Sequence, residues 1–274
     1  MLTGRMSVLR RITTAAAIGL VMVGGVGRPA VADHIGGTAG NDHLKGSAGD
    51  DVIHGFAGDD VIRPRRGDDV VYGGKGDDQL WVGANEDIAE RTGADRVLGG
   101  PGADATIVSH GDVARLGAGP DVGWAYARGG VLKGGPGPDV FFAFARVRVF
   151  AGPGNDIICG HAFWLENHAG GAYLFRLGPG NDRLFSHAGR AHELCYETED
   201  AGSDLVYAGP GNDLLRFTGR GTDEVYAGSG DDRIRISNSE LRLIDCGPGD
   251  DTLTLLFGVE PSVVKGCETV ARES

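Results

Sequence analysis

With 274 residues, 41% of them hydrophobic, the chain holds enough apolar material for a folded core. Its 49 glycines, well over twice the ordinary share of roughly 7%, demand frequent turns, and they exclude collagen because no three-residue period accompanies them. The formal charge of −12 becomes −16 without the four arginines of the first 32 residues. That balance excludes a nucleic-acid footprint and points to cations as partners.

At the N-terminus, Arg5, Arg10 and Arg11 precede an apolar stretch from Ile12 to Val26, and Ala30-Val31-Ala32 follows. A charged segment, an apolar segment and a small-x-small site predict a secretory signal peptide over residues 1–32, cleaved after Ala32. The apolar stretch falls short of the about 20 residues that span a bilayer, so no membrane span is expected in the mature chain. Arg10-Arg11 leaves both the general and the twin-arginine export routes open.

From Gly37 the chain reads GTAGNDHLK, GSAGDDVIH, GFAGDDVIR, PRRGDDVVY and GGKGDDQLW, with a degenerate sixth unit at Asn85 and Asp87. Asp42, Asp51, Asp60, Asp69, Asp78 and Asp87 therefore recur every nine residues. Two positions after them stand Leu44, Ile53, Ile62, Val71, Leu80 and Ala89, which are expected to point inward. A unit of nine with six turn residues is too short for a helix and fits a tight turn plus a short strand. Two units make a coil of 18.

The acidic turn returns at Asp104, Asp121, Asp139 and Asp156, in steps of 17, 18 and 17. Such steps keep it on one edge of the stack, with bare turns near Arg128-Gly129 and Arg146 closing the other. Insertions near 160–203 precede Asp182 and Asp204, after which Asp213, Asp223, Asp232 and Asp251 resume the pattern. The expected organisation is a roll over 33–257, regular over 37–90 and sparser over 91–257, with a C-terminal cap over 258–274. Cys159, Cys195, Cys246 and Cys267 show no CxxC spacing, which favours disulfides in an exported chain. Of the three possible pairings, Cys159 with Cys195 and Cys246 with Cys267 each bracket a single irregular segment.

A coil of 18 stacks like turns about 4.8 Å apart and aligns their carboxylates in columns that repel one another. A cation between successive turns relieves the repulsion. Oxygen-only ligands of flexible geometry select Ca²⁺ over zinc, copper or Mg²⁺. Roughly six to eight ions are expected, against eight divalent charges needed to cancel −16. Taken singly, Gly-Asn-Asp and Gly-Asp-Asp are ordinary Asx turns; the register is what argues for metal.

GSAGDDVIH, GFAGDDVIR and GGKGDDQLW resemble the RTX, or hemolysin-type, calcium-binding repeat family, whose nonapeptide is G-G-x-G-x-D-x-U-x. The resemblance spans most of Gly36 to Leu255. It implies an all-β, right-handed parallel β-roll with Ca²⁺ between each acidic turn and the like turn one coil later. The sixth-position Asp then gives its side chain and the preceding turn residues give carbonyls. Asp42, Asp51, Asp60, Asp69, Asp78, Asp139, Asp156, Asp213, Asp232 and Asp251 match that role. Asp104, Asp121, Asp182 and Asp223 sit in altered neighbourhoods, and Asp87, Asp95 and Asp204 depart furthest. Pro64-Arg65-Arg66 replaces the leading glycines ahead of Asp69 and is expected to weaken that site.

No enzyme is expected. The chain carries no G-x-S-x-G elbow and no phosphate loop, and His192-Glu193 lacks the second His of a zinc protease. His161, His168, His187 and His192 fall with Trp164, Glu166 and Glu193 in the insertions and read as surface loop. The leading expectation is a secreted calcium-binding scaffold. The alternatives are an extracellular adhesin or carbohydrate-binding module, using the flat outer sheets or the aromatic segment from Phe163 to Phe175, and a hydrolase with an unrecognised site.

Overall fold

A computed structural model describes residues 32–82, 93–109, 111–126, 129–144, 147–160, 173–186, 195, 204–218, 222–237, 242–256, 258–259 and 261–273. Among these residues there is no helix, only strands of three to six residues, because glycine or aspartate turns interrupt most of the extended runs. Successive strands alternate between two parallel sheets of twelve strands each. The first sheet runs from His34–Gly36 to Val263–Lys265 and the second from His43–Lys45 to Thr269–Glu273. The chain is thus a β-solenoid in which each coil contributes one strand to each sheet.

Register follows the repeat. Val52 lies against Val70 and Val61 against Gln79, both 18 residues apart, as the doubled nonapeptide requires. The next step in the first sheet pairs Val70 with Arg96, which is 26 residues on. Asp95, and not Asp87, therefore follows Asp69 on this edge, the step being eight residues longer than the coil of 18; Asn85, Asp87 and Ala89 lie outside the described residues. Later partners such as Ala105 with Val122 and Val122 with Val140 keep the expected steps of 17 and 18.

Inward aliphatic and aromatic side chains, one or two from most strands, build the core. Ile53, Ile62, Val71 and Leu80 are fully buried, as the nonapeptide pattern predicts. Farther along, large residues are matched by small ones. Gly123 faces Phe141, and a side-chain carbon on that glycine would lie 2.9 Å from the Phe141 ring.

The region where insertions are expected, near 160–203, holds a complete coil, with strands Leu174–Arg176 and Arg183–Ser186. Tyr173 and Phe175 are buried in the core and are not part of an exposed aromatic loop. The physical reason is that the Tyr-Leu-Phe alternation serves a strand as well as any repeat does. Trp164, His161, His168, His187 and His192 lie outside the described residues.

The expected cap contains the last coil. Val263–Lys265 pairs with Leu243–Asp245 and Thr269–Glu273 with Thr252–Leu256, and their side chains are exposed. Cys246 and Cys267 form a disulfide that pins this coil to the one below. The second disulfide, Cys159–Cys195, lies on the outer face of the second sheet, buried with Phe185 and packed by Phe142 and Leu214. Both pairings are those expected from sequence. Replacing Cys246 and Cys267 by serine is expected to fray the last coil selectively, since closing a loop of this size contributes about 3 kcal/mol. Hydrogen exchange should accelerate over residues 263–273 while the strands from Ile53 to Leu80 keep their protection.

Candidate metal centre

Most strands are entered from an aspartate whose backbone is held on both sides. Its carbonyl accepts an N–H from the next coil, as Asp42 does from Val61 at 2.9 Å. Its own N–H donates to the Oδ1 of the aspartate one coil on. At the edge of the second sheet this ladder is unbroken: Asp42, Asp60, Asp78, Asp104, Asp121, Asp139, Asp156, Asp182, Asp213, Asp232 and Asp251 follow one another at 2.8–2.9 Å. It ends where the Asp251 N–H donates to Glu268 Oε2 at 2.8 Å.

The edge of the first sheet carries a shorter ladder. Asp33, Asp51, Asp69, Asp95 and Asp112 are linked at 2.7–3.0 Å. After a gap, Asp204 and Asp223 resume it at 2.9 Å. Gly130, Val147 and Tyr173 fill the rungs between; of the bare turns expected near Arg128-Gly129 and Arg146, Arg128 and Arg146 lie outside the described residues. Every aspartate singled out as a candidate ligand stands in one of the two ladders, Asp51, Asp69 and Asp223 in the first and the remainder in the second. Asp95 and Asp204, the poorest sequence matches, stand there as well. Sequence reading missed Asp33, Asp112 and Glu268. Asp112 lacks the preceding glycine pattern, but its spacing of 17 from Asp95 was a usable signal.

Using Oδ1 for the ladder leaves Oδ2. In twelve of these aspartates Oδ2 is buried with no hydrogen-bond partner. Burial is the main reason their carboxyls lie above the usual range; the neighbouring backbone N–H opposes the rise, and repulsion from adjacent rungs adds to it for most of them. Asp95, Asp139 and Asp182 are pushed up to about 8, Asp104 and Asp213 to about 7, and Asp69, Asp78, Asp121, Asp156 and Asp232 to about 6. A buried carboxylate oxygen without a partner is costly, and a proton or a cation removes the cost.

Glycine leaves a recess beside several of these carboxylates. A side-chain carbon on Gly37 would lie 2.7 Å from Asp42 Oδ2 and 2.7 Å from the Gly55 carbonyl oxygen of the next coil. The same pairing of a carboxylate oxygen with a carbonyl one coil on recurs at Gly55 with Asp60 and Gly73, and at Gly73 with Asp78 and Gly99. It appears again at Gly99 with Asp104 and Leu116, and at Gly134 with Asp139 and Ala151. On the other edge Gly46 leaves a recess bounded by Asp51 Oδ2 at 2.5 Å and by the Pro64 carbonyl. Proline lacks the N–H but keeps the carbonyl, so Pro64 still completes the recess at Asp51. Where the turn opens instead with Leu116, Ala151, Leu177, Ala208, Ala227 or Cys246, a buried side chain takes the register position of these glycines.

Among the described residues no three His, Cys, Asp or Glu side chains cluster together. A cation in these recesses therefore takes backbone carbonyls as well as carboxylates. With oxygen its only ligand type, the site suits a hard ion such as Ca²⁺ and offers nothing to zinc or copper. Replacing Gly73 by alanine tests the recess without straining the backbone, since Gly73 does not have positive φ. The added carbon would sit against Asp78 Oδ2 and 2.8 Å from the Gly99 oxygen. Calorimetry is expected to show one calcium equivalent lost or weakened at least tenfold.

A second ladder, unforeseen from sequence, runs on the exposed side of the same turns. Asn41, Asp59 and Asp77 each accept the N–H of the like residue one coil on at 2.8–3.0 Å, and Asn155, Asn181, Asn212 and Asp231 do so at 2.8–3.1 Å. Its donors point the opposite way to those of the buried ladder, so each turn is tied in both directions. This explains the Asn or Asp that so often precedes the buried aspartate.

Stacked aspartate turns with glycine recesses have a counterpart among known sequence families. The chain carries RTX calcium-binding nonapeptide repeats. Four copies match, over residues 36–69, 65–89, 200–216 and 217–235. No curated protein matches the chain. The RTX copies contain Asp42 to Asp78 and Asp204 to Asp232, and the same aspartate ladder continues through the unmatched coils between them.

Proposed function

We propose that the protein is an extracellular calcium-binding RTX scaffold whose folding is coupled to the ion. It is exported by the signal peptide over residues 1–32 and begins at Asp33 after cleavage. The observation that supports this reading is the unpartnered, buried Oδ2 of Asp60, Asp78, Asp104 and Asp139, each facing a carbonyl of the next coil across a glycine recess. Asp42, Asp51, Asp60, Asp78, Asp104 and Asp139, with the carbonyls of Gly55, Pro64, Gly73, Gly99, Leu116 and Ala151, hold the best-formed sites. Asp69, Asp121, Asp156, Asp182, Asp213, Asp223, Asp232 and Asp251 extend the series without such a recess. Bound calcium supplies the positive charge that the ladders lack, and a thin core makes that charge part of the folding energy.

The two disulfides accord with an oxidising destination. Among the described residues no helix is long and apolar enough to cross a membrane. The role assigned is binding and structural, not catalytic, since each buried aspartate is committed to the ladder.

Circular dichroism and calorimetry of the mature chain test the proposal. Calcium alone, and not Mg²⁺, is expected to raise the β signal, with affinities of about 10⁻⁴ to 10⁻³ M as in extracellular modules. An identical spectrum in chelator and calcium at neutral pH, with no heat of calcium uptake, would contradict it.

A further inference from the structure

The buried aspartates stand at the turns, and over much of their length the outer faces of the sheets carry cations. On the first sheet one outward row reads Leu98, Arg115, Lys133, Phe150, Arg176, Tyr207 and Tyr226 from coil to coil. The other outward row supplies Arg96 and Arg148. No carboxylate stands in either row between Arg96 and Arg176, and none of the five cations makes an ion pair among the described residues.

The cations are held in place by the rings between them. Lys133 Nζ lies 5.4 Å from the Phe150 ring centre on one side and the Arg176 guanidinium 5.8 Å from it on the other. Arg176 also lies 5.3 Å from the Tyr207 ring, which stacks on Tyr226 at 4.9 Å. Such contacts hold long flexible side chains in one geometry and lower the entropy lost when they bind an anion. The acidic ladder on this edge is absent on the same rungs: Gly130, Val147 and Tyr173 replace aspartate beside Lys133, Arg148 and Arg176. The edge thus lacks its negative charge beside three of the five cations.

We propose that the outer face of the first sheet between Arg96 and Arg176 binds a linear anionic polysaccharide. Its carboxylates or sulfates pair with Arg96, Arg115, Lys133, Arg148 and Arg176. Five neighbouring strands carry one cation each, in two adjacent rows, and their spacing of about 4.8 Å suits a polymer that carries its charges at saccharide intervals. Nucleic acid fits less well, because it stacks its bases on open ring faces and here the faces of Phe150 and Tyr207 are covered by cations. The proposal rests on the fold and not on calcium occupancy.

The test uses the full mature chain loaded with calcium, with circular dichroism confirming the fold of every variant. Binding of a polyuronate, a sulfated glycan and a neutral glucan is measured by calorimetry at low and moderate salt. Arg115→Gln, Lys133→Gln and Arg148→Gln combined are expected to weaken binding of the charged glycan at least tenfold while calcium uptake is unchanged. A preference between the two charged glycans identifies the anion. Binding that survives the triple variant belongs to calcium bridging at the acidic edge and overturns the proposal. Equal binding of the neutral glucan, tighter binding of single-stranded DNA or of vesicles rich in anionic lipid, or no binding of either charged glycan, overturns it too.

Discussion

In chelator the mature chain is expected to fold in mild acid and to lose its β structure as the pH rises through about 6 to 8, the reverse of ordinary acid denaturation. The sign follows from the buried ladder. Its carboxyls have folded-state values well above the usual carboxylate range, up to about 8 at Asp95, Asp139 and Asp182. Such groups contribute stability that is fully present below the unfolded value and lost as the pH rises through the folded one. In acid, Oδ2 carries a proton and can donate to the carbonyl across the glycine recess. At pH 8 the proton is gone from most rungs and the unfolded chain, free to ionise in water, is favoured. Calcium replaces the protons, so it should restore the β signal at pH 8, release protons on binding and bind more weakly in acid. Far-ultraviolet circular dichroism across this pH range, with chelator and with calcium, checks the outcome. A chelated chain as well folded at pH 8 as in mild acid would remove the basis for coupled folding.

Replacing Asp139 by asparagine is expected to have opposite effects with and without calcium. Asparagine keeps an oxygen for the Asp121 N–H, which Asp139 Oδ1 accepts at 2.9 Å, and keeps the side-chain volume. It removes a charge that burial and the adjacent Asp121 and Asp156 make unfavourable. In chelator at pH 8 the variant should therefore melt at a higher temperature than the parent. In calcium it should melt at a lower one, because losing a site filled at 100 times its dissociation constant forfeits about 2.7 kcal/mol. Thermal melts under the two conditions decide the matter. A shift of the same sign in both would show that Asp139 acts as a hydrogen-bonding residue only.

The coil of 18, the inward aliphatics and the acidic edge were legible because strand pairing copies a strict nonapeptide directly into space. The later rungs were harder to read because parallel pairing fixes the register of strands and not the length of chain between them. Steps of 17, 18, 19, 26 and 31 residues all deliver an aspartate to the same Oδ1 of the ladder. Hence Asp95 was undervalued beside Asp87, although its N–H and carboxylate serve the ladder like those of any regular repeat. Tyr173 shows the same ambiguity from the other side. Lying next to glycines and a histidine-rich segment, it reads as loop, yet it occupies a rung and is buried. The outer Asn/Asp ladder was hidden for another reason. Its residues look like ordinary turn formers, and only stacking reveals that each accepts a hydrogen bond from the coil above.

Diffraction from crystals grown in calcium tests the central claim most directly. Ions are expected in the recesses at Gly37, Gly55 and Gly73, each in contact with the Oδ2 of Asp42, Asp60 or Asp78 and with a carbonyl of the following coil. Recesses that hold only water at saturating calcium, with the ladders intact, would contradict the account.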